Sequence, residues 1–338
     1  MSFPKAFLKK NLLTIFLIFL VYSWFFISNN LIKPQNINVS GADTNITVFQ
    51  EPDAGRTLIL DAINNAKQEI LIEVYLLSDK QIIQSLIDAR KRGVDVSVML
   101  EEHPFGGGNL NNKTKAALEK TGVSVEWTNS KFTLTHEKAV IIDKQKVFVL
   151  NQNLTASSFS KNREFNALDT NPEDVNEARN IFVADWERKS FSPTSTHLII
   201  SPNNSRKALT NLIKESKKSI EIEAEIVEDN QTINLLSEKA KNVQVEIIIP
   251  GFSQIQTNKQ AVDRLKKAGV VVKTLSSPYI HAKLILIDDV KAYIGSINLS
   301  SQSMDENREL GIILLQNQGI NLLNSTFESD WNKAKTIN

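Results

Sequence analysis

The sequence predicts an α/β protein made of two duplicated α/β sandwich halves, related by a pseudo-two-fold axis, after an N-terminal transmembrane helix. Three observations support this prediction: a long internal repeat, a regular alternation of helix and strand patterns, and one uncharged apolar run. With 338 residues, the chain is long enough for two domains of typical size. The predicted organisation is a membrane anchor at 1–33, a stalk at 34–48, a first half at 49–192 and a second half at 193–338.

The internal repeat is centred on a nine-residue stretch that occurs twice. Residues 135–143 read THEKAVIID and residues 280–288 read IHAKLILID, which is an offset of 145 residues. The pairs that keep this offset are His136 and His281, Lys138 and Lys283, Asp143 and Asp288, Asn153 and Asn298, Glu164 and Glu309, and Trp186 and Trp331. One ungapped register over about fifty residues indicates an internal duplication.

Each repeated stretch predicts a strand that carries a His and a Lys on one face. The residues after each Lys are aliphatic or β-branched, as is typical of a buried strand. Side chains at positions i and i+2 of an extended chain share a face, so His136 and Lys138 point the same way. The same spacing places His281 beside Lys283, which predicts two polar half-sites.

A turn and a second strand follow each stretch, so the repeat also predicts a hairpin. With a turn centred near residues 145–146, Lys138 pairs with Asn153, and the same count pairs Lys283 with Asn298. Each half then presents a His, a Lys and an Asn as one cluster. Two such clusters in one chain suggest half-sites that face each other across the pseudo-two-fold axis.

These residues resemble the HKD motif of the phospholipase D superfamily. The motif is a His, a Lys two places later and an Asp five places after the Lys, followed ten residues later by Asn. The resemblance covers both halves, from about residue 50 to about residue 335, and extends to proteins similar to cardiolipin synthase. It implies a metal-independent phosphodiesterase that acts on phospholipids or nucleic acids through a covalent phosphohistidine.

The resemblance implies that the two motif His residues divide the reaction between them. One imidazole attacks phosphorus, and the other protonates the leaving alcohol and then activates water or a second alcohol. In members with two motifs the N-terminal motif usually supplies the nucleophile, so His136 is expected to attack and His281 to act as acid and base. By the same resemblance, Glu164 and Glu309 accept the second imidazole N–H and hold the ring tautomer.

Further side chains are expected to bind the phosphate oxygens in place of a metal ion. These donors are Lys138, Lys283, Asn153, Asn298 and Ser296. Asn151 stands where the counterpart of Ser296 is expected, which departs from the family pattern and makes the half-sites unequal. Asp143 and Asp288 lie at the far end of the strand from the His, so a structural role in the turn is expected for them.

Composition excludes several other kinds of site. The chain has no Cys, so a disulfide framework, a thiolate nucleophile and a zinc–cysteine site are impossible. Two of the four His belong to the motifs, and His103 and His197 are too few to build an obvious metal centre. Neither a metal nor another cofactor is therefore expected. The Gly-rich stretch at 103–109 lacks the P-loop pattern, and a substrate-access loop is one reading of it.

The apolar run at 11–32 contains no charged residue and is long enough to cross a bilayer. Lys5, Lys9 and Lys10 precede it and favour a cytoplasmic N-terminus, which places the catalytic body outside the cytoplasm. The alternative is a cleaved signal peptide and a secreted protein, although no A-x-A cleavage site follows the run. A buried helix of a soluble protein is a third reading, which the apolar residues on every face disfavour.

Downstream of the stalk, helix and strand patterns alternate in the same order in both halves. The first half has helix patterns at 54–68, 82–90 and 113–120 and strand patterns at 69–77 and 94–100. The second half has helix patterns at 206–216, 233–241 and 259–267 and strand patterns at 219–227 and 243–249. Strands that alternate with helices imply an α/β sandwich in each half. Trp186 and Trp331 are expected to anchor the core.

The class of substrate is left open between two readings. The net charge is +1, but residues after 33 carry 35 basic and 38 acidic side chains, which is unlike a non-specific nucleic-acid binder. Phospholipid hydrolysis or head-group transfer at a membrane surface is therefore favoured, and an endonuclease acting on DNA or RNA is the alternative. A catalytically inactive binding protein is a third reading, which the complete set of His, Lys and Asn in both halves disfavours. No obligate protein partner is implied.

Overall fold

Two mixed β-sheets of eight strands form the framework of the computed structural model, which describes residues 45–106, 108–194, 197–316 and 318–337. The first sheet contains β1 (Ile46–Glu51), β2 (Glu69–Val74), β3 (Asp95–Leu100), β4 (Ser124–Trp127), β5 (Lys138–Ile142), β6 (Lys146–Val149), β7 (Asn162–Asp169) and β12 (Tyr279–Ile280). The second sheet contains β8 (Leu198–Ser201), β9 (Ser219–Ala224), β10 (Gln244–Ile249), β11 (Val271–Thr274), β13 (Lys283–Ile287), β14 (Lys291–Gly295), β15 (Glu309–Leu315) and β16 (Lys335–Thr336).

The helices follow the same order in both halves. The first half has α1 (Thr57–Asn65), α2 (Lys80–Lys91), α3 (Leu110–Glu119) and α4 (Pro172–Trp186). The second half has α5 (Ser205–Lys214), α6 (Asn230–Lys239), α7 (Lys259–Lys267), a short α8 (Ser301–Asp305) and α9 (Gly319–Lys333). The bounds of α7 are those that the sequence predicts, whereas α1 is shorter than the predicted helix at 54–68.

The strand order shows the duplication directly. The first sheet runs β1-β7-β6-β5-β2-β3-β4 with β12 beside β7, and the second runs β16-β11-β10-β9-β13-β14-β15-β8. In each sheet the parallel strands (β2 to β4, or β9 to β11) are joined by helices, as parallel neighbours require. The HKD strand, β5 or β13, pairs antiparallel to the first of them. This architecture confirms the predicted α/β class with two duplicated halves.

Matching helix caps show that the repeat extends to local structure. The side chain of Asp79 accepts hydrogen bonds from the N–H groups of Gln81 and Ile82 at the start of α2. The side chain of Asp229 accepts from the N–H of Thr232 at the start of α6. A cap of this kind satisfies donors that a helix terminus leaves unpaired, so each Asp fixes where its helix begins after the preceding strand.

The apolar core has three parts. One cluster combines buried residues of both sheets with those of α4 and α9, and it therefore joins the two halves. A second cluster lies between the first sheet and α1, α2 and α3, and a third lies between the second sheet and α5, α6 and α7. Trp186 stacks on Phe182 and Trp331 on Phe327, with ring centroids 5.6 and 5.7 Å apart. Both Trp pack against the central cluster, as the sequence predicts.

The predicted register of the two hairpins is wrong by three residues. Ile142 pairs with Lys146, and the N–H of Leu150 donates to the carbonyl of Lys138, so Lys138 lies opposite Leu150 and not Asn153. The second hairpin makes the same shorter turn, in which Ile287 pairs with Lys291. The cause is a tight turn in which two consecutive residues have positive φ, and these residues are Asp143, Lys144, Asp288 and Asp289.

The motif Asp residues tie these turns to the start of the central strand. The Asp143 carboxylate accepts hydrogen bonds from three consecutive backbone N–H groups at residues 67–69, at 2.8, 2.7 and 3.0 Å. Asp288 accepts from the N–H groups of residues 217–219 in the same way. Each Asp therefore lies at the end of its strand that is remote from the His.

Among the residues that the structure describes, none of the helices combines the length and the apolar character that a bilayer span requires. The predicted anchor at 1–33 lies outside the described residues, and so does the stalk as far as residue 44. The predictions about membrane insertion and its direction therefore stay predictions.

Candidate active site

The two HKD strands bring their polar ends to one cavity of about 400 Å³ between the halves. His136 and Asn153 line the cavity from the first half, and His281 and Asn298 line it from the second. Each His lies just before its strand, β5 or β13, and each Asn lies in the segment that leaves the hairpin. The shorter hairpin thus changes which residues pair in the sheet, but it still delivers both Asn to the His.

Each His is held by a carboxylate from the opposite half. Nδ1 of His136 lies 2.8 Å from Oε2 of Glu309, and Nδ1 of His281 lies 2.7 Å from Oε2 of Glu164. The backbone follows the same exchange, because the N–H of His136 donates to the carbonyl of Arg308 and that of His281 to the carbonyl of Arg163. Neither half-site is therefore complete within one half of the chain.

The repeated Asn-Arg-Glu triplets, residues 162–164 and 307–309, supply these contacts and more. In each triplet the Asn side chain donates to an oxygen of its own Glu, at 3.0 Å and 3.2 Å. The Arg side chains cross between the halves: Arg163 pairs with Asp330 at 2.6 Å and Arg308 with Asp185 at 2.7 Å. These Asp residues belong to the repeated Asp-Trp pairs. The Arg and the Asp also keep the 145-residue offset, but the repeat predicts no role for them.

Both motif Lys residues are buried beside the His. Nζ of Lys138 donates to the carbonyl of His136 at 2.6 Å, and Nζ of Lys283 donates to that of His281 at 2.8 Å. Nζ of Lys283 also lies 3.4 and 3.5 Å from the ring nitrogens of His281. Burial lowers the pKa of Lys138 to about 7, against the opposing charge of Glu309. A phosphate group that entered the cavity would favour its charged form.

The electrostatics of the first half-site favour a neutral imidazole. Burial lowers the pKa of His136 to about 4, and the charge of Lys138 adds to this effect against the opposing charge of Glu309. Burial alone would raise the pKa of Glu309, but the contacts with His136 and Lys138 prevail and lower it. A neutral His136 that donates its Nδ1–H to the Glu309 carboxylate keeps a lone pair on Nε2, as a nucleophile needs.

The two half-sites differ at the residue that follows the central strand. Tyr75 follows β2 and meets the ring of His136 edge to face, with centroids 4.9 Å apart. Glu225 follows β9, and its carboxylate accepts hydrogen bonds from Nζ of Lys283 and from the hydroxyl of Tyr279, both at 2.9 Å. The predicted strands, 69–77 and 219–227, run through both positions, so the sequence does not mark Tyr75 and Glu225 as site residues.

The ionisation of Glu225 follows from its neighbours. Burial would raise its pKa, but the charges of His281 and Lys283 and hydrogen bonds from Lys283 and Tyr279 lower the pKa to about 2. Its Oε2 lies 3.4 Å from Nε2 of His281. The second half-site therefore contains one more carboxylate than the first at the same position.

Ser296 and its counterpart Asn151 lie behind the cavity. The hydroxyl of Ser296 donates to the carbonyl of Leu310 and accepts from its N–H, at 3.2 and 3.1 Å. The Asn151 side chain donates to the carbonyl of His281 and accepts from the N–H of Phe165. Both side chains are fully buried. The Ser296 hydroxyl thus supports the strand residue next to Glu309, and its expected place at the phosphate stays a prediction.

Asn153 and Asn298, in contrast, line the cavity. Within the described part of the chain, the side-chain carbonyl of each is buried without a hydrogen-bond partner. Buried amides are normally paired, so these two acceptors leave room for a hydrogen-bond donor of a bound ligand. Phe105 and Gly106, from the Gly-rich stretch, also line the cavity. The described residues contain no group of three His, Cys, Asp or Glu side chains placed to hold a metal ion.

Comparison with known proteins agrees with this geometry. The family model "Cardiolipin synthase, PLD-like domain" matches the chain twice, at residues 59–186 and 209–331. Cardiolipin synthase 1 of Bacillus anthracis is 24% identical over 331 residues, covering 82% of this chain and 65% of that protein. Phospholipase D of Rickettsia bellii is 33% identical over 134 residues, covering 39% of this chain and 64% of that protein. The chain thus spans just under two thirds of the length of these curated relatives.

The solved structures support the fold. A phosphatidylserine synthase from Haemophilus influenzae Rd KW20 superposes with a TM-score of 0.65 at 14% identity, and the match covers 88% of each chain. At this level of identity the likeness concerns the arrangement of the two halves. The assignment of chemistry has to come from the cavity and from the two family matches.

Proposed function

This chain belongs to the phospholipase D superfamily, whose cardiolipin synthase PLD-like domain it contains twice, and we propose that it is a phosphodiesterase or phosphatidyltransferase acting on phospholipids. The observation that carries the proposal is the pair of His residues at one cavity, each held at Nδ1 by a buried Glu of the opposite half. Each Glu leaves the other ring nitrogen of its His for chemistry, as the Asp of a catalytic triad does.

The first chemical step uses both His. Nε2 of His136 attacks phosphorus, a P–N bond forms, and the P–O bond to the leaving alcohol breaks. His281 gives its proton to the departing oxygen, so the alcohol leaves neutral. Glu309 stabilises the positive charge that the His136 ring acquires. Lys138, Lys283, Asn153 and Asn298 supply the positive charge and N–H donors that the phosphate oxygens need.

The second step reverses the roles of proton donor and acceptor. His281, now neutral, takes a proton from water or from an acceptor alcohol, and the resulting oxygen attacks the phosphohistidine. The P–N bond breaks and His136 is restored with its neutral ring. With water the product is a phosphatidic acid, and with an alcohol it is a new phosphodiester. Both outcomes use the same residues.

Lipid is the proposed substrate class because the curated relatives above are a cardiolipin synthase and a phospholipase D. The mildly acidic charge balance after residue 33 fits the same choice, since it lacks the basic excess of a non-specific nucleic-acid binder. The proposal includes the predicted anchor at 1–33, which would hold the body at the outer face of a membrane. Digestion of the body by protease added to intact spheroplasts tests that placement, and protection of the body contradicts it.

A parallel assay tests the function. The full-length chain in detergent micelles is incubated with phosphatidylglycerol, phosphatidylcholine and plasmid DNA, each with and without EDTA. We expect head-group release or transfer from a phospholipid, unchanged by EDTA, and abolished in a His136→Ala/His281→Ala variant. Plasmid nicking without any lipid turnover contradicts the lipid assignment. Loss of turnover in EDTA that Mg²⁺ or Zn²⁺ restores contradicts the metal-independent mechanism.

A further inference from the structure

Glu225 and Tyr75 occupy equivalent places in the two half-sites, yet one is an acid and the other is not. Each follows a central strand, and each contacts the His of its own half. Tyr75 offers His136 an aromatic ring, which brings no charge. Glu225 offers His281 an ionised carboxylate at 3.4 Å. The duplication makes this a comparison within one molecule, because the rest of the His, Lys, Asn and Glu set is the same.

Charged groups of both signs surround the His281 ring. Glu164 on β7 faces Nδ1 at 2.7 Å, and Glu225 faces Nε2. Lys283 on β13 brings one positive charge near the ring, at 3.4 Å. Tyr279 on β12 lies with its ring 6.4 Å from that of His281 and donates its hydroxyl to Glu225. His136 lines the same cavity from the other half, and Lys138 is buried beside His136.

The charged groups around His136 differ from those around His281. There one carboxylate, Glu309, faces Nδ1, and Lys138 lies with its ammonium 5.4 Å from the centre of the Tyr75 ring. Counting the groups in these contacts, His281 meets two carboxylates and one ammonium, whereas His136 meets one carboxylate and one ammonium. An extra negative charge within about 4 Å of an imidazole favours its protonated form. The second half-site therefore holds one more negative charge beside its imidazole than the first.

We propose that Glu225 is a positioning residue whose negative charge beside Nε2 stabilises a proton on His281, and so makes His281 the acid of the first step. This inference rests on the proposed function, because it explains how two copies of one motif take different parts in a single reaction. In the empty site Glu225 occupies the Nε2 side of the ring, where the leaving oxygen has to arrive. The arriving phosphodiester replaces Glu225 as the partner of that N–H.

A titration of the four His rings tests the charge assignment without turnover. The full-length chain in detergent is labelled at His, and the His281 signal is identified by its loss in a His281→Asn variant. In Glu225→Gln we expect the titration midpoint of His281 to fall by about 1–3 pH units. Glu228→Gln is the matched control, since it removes an exposed carboxylate from the same cavity. It should leave the His281 midpoint where it is in the parent protein.

The pH dependence of turnover separates a charge effect from a structural one. If Glu225 stabilises the protonated ring of His281 in the free enzyme, Glu225→Gln moves the basic limb of the kcat/KM profile to lower pH by the same interval and keeps most of the rate on the acidic side. A titration midpoint that does not move, or a loss of rate that is equal at every pH, overturns the proposal. So does a higher rate at every pH, because the acid of the first step would then not depend on the charge of Glu225.

Failure of the proposed function is recognised separately. If the parent protein turns over no phospholipid, the proposed function fails, while the titration still decides whether Glu225 sets the charge of His281. If the parent protein is active and the midpoint is unmoved, the role of Glu225 fails alone. Circular dichroism and thermal unfolding of each variant establish that the comparison is between folded proteins.

Discussion

Each His of the cavity depends on a Glu that is far away in sequence and comes from the opposite half. In a triad the buried carboxylate holds the ring tautomer and stabilises the positive ring, and its replacement by the amide costs about 10⁴-fold in kcat in the serine proteases. Glu309 serves the proposed nucleophile His136, and Glu164 serves the proposed acid His281. The crossed pairing therefore predicts that the two Glu affect different steps.

Replacing each Glu by Gln separates these steps. We expect Glu309→Gln to slow formation of phosphohistidine by about 10²–10⁴-fold, because the amide cannot stabilise the positive His136 ring. With a substrate whose leaving group needs little acid help, Glu164→Gln should slow breakdown instead, so that the intermediate accumulates. Rapid-quench measurement of the phospho-enzyme in a single turnover reads both steps. The opposite pattern would mean that the nucleophile lies in the second half.

At this scale the sequence predicts the identity of the site residues better than their partners. The repeat and the family resemblance select His, Lys, Asn and Glu, because those residues recur in register. They do not predict that Glu309 faces His136, since that contact depends on pairing between segments 173 residues apart. Glu225 is not predicted as a site residue for another reason. The predicted strand at 219–227 runs through it, and the equivalent position in the first half holds Tyr75, so the repeat does not mark it.

The predicted register of the hairpins is wrong because of the turn that joins their strands. The run of apolar residues predicts both strands correctly, but the register depends on the turn. Asp143 and Lys144 adopt positive φ and close the turn earlier than expected. The Asp143 side chain stabilises this conformation, because it accepts hydrogen bonds from the three backbone N–H groups of residues 67–69. The sequence alone does not predict that contact, because it joins the turn to backbone groups 74–76 residues earlier.

Removal of the turn carboxylate should affect stability and not chemistry. We expect Asp143→Ala and Asp288→Ala each to lower the free energy of unfolding by about 1–3 kcal/mol, since three backbone donors lose a charged acceptor. Gln145→Ala, at an exposed position in the same turn, is the control. Urea unfolding measures the change, and kcat of the folded variants should stay within a few-fold of the parent value. A large loss of kcat without loss of stability would give the motif Asp a direct part in catalysis.

Across the whole molecule, two buried ion pairs hold the halves against each other at the cavity. Arg163 of the first half pairs with Asp330, and Arg308 of the second half pairs with Asp185. Further carboxyl groups lie near both Arg, since Glu223 and Asp53 act on Arg163 as Glu137 acts on Arg308. Burial raises the pKa of Glu137 to about 8, against the opposing charge of Arg308, so this carboxyl is neutral at pH 7.

These pairs predict the effect of two substitutions. Asp330→Ala leaves Arg163 buried without its main partner, and we expect it to cost about 3–5 kcal/mol in the free energy of unfolding. Asp185→Ala should cost a similar amount, because it removes the main partner of Arg308 in the same way. Asp88→Ala, which breaks an exposed pair with Lys91, is the control and should leave the unfolding midpoint nearly unchanged. A cost near zero for either buried Asp would contradict a stabilising role for its ion pair.

Two signals in the sequence predict the duplicated architecture. Helix and strand patterns alternate in the same order in both halves, and the motif residues recur at an offset of 145 residues. The sequence does not predict that the halves share one central core and exchange residues at the site, because those contacts connect distant segments. The exchange means that the cavity exists only when both halves are in place. A single half of the chain therefore lacks a complete His–Glu pair.

The most direct test of the account is to identify the His that carries the phosphoryl group. The full-length chain is mixed with a phosphodiester that has a good leaving group, quenched in acid and analysed by mass spectrometry. In His281→Ala we expect label on His136 that accumulates, because the breakdown step loses a general base that typically contributes about 10²–10⁴-fold. In His136→Ala no label should form. Label on His281 in the His136→Ala variant, with none on His136 in the other, would contradict the account.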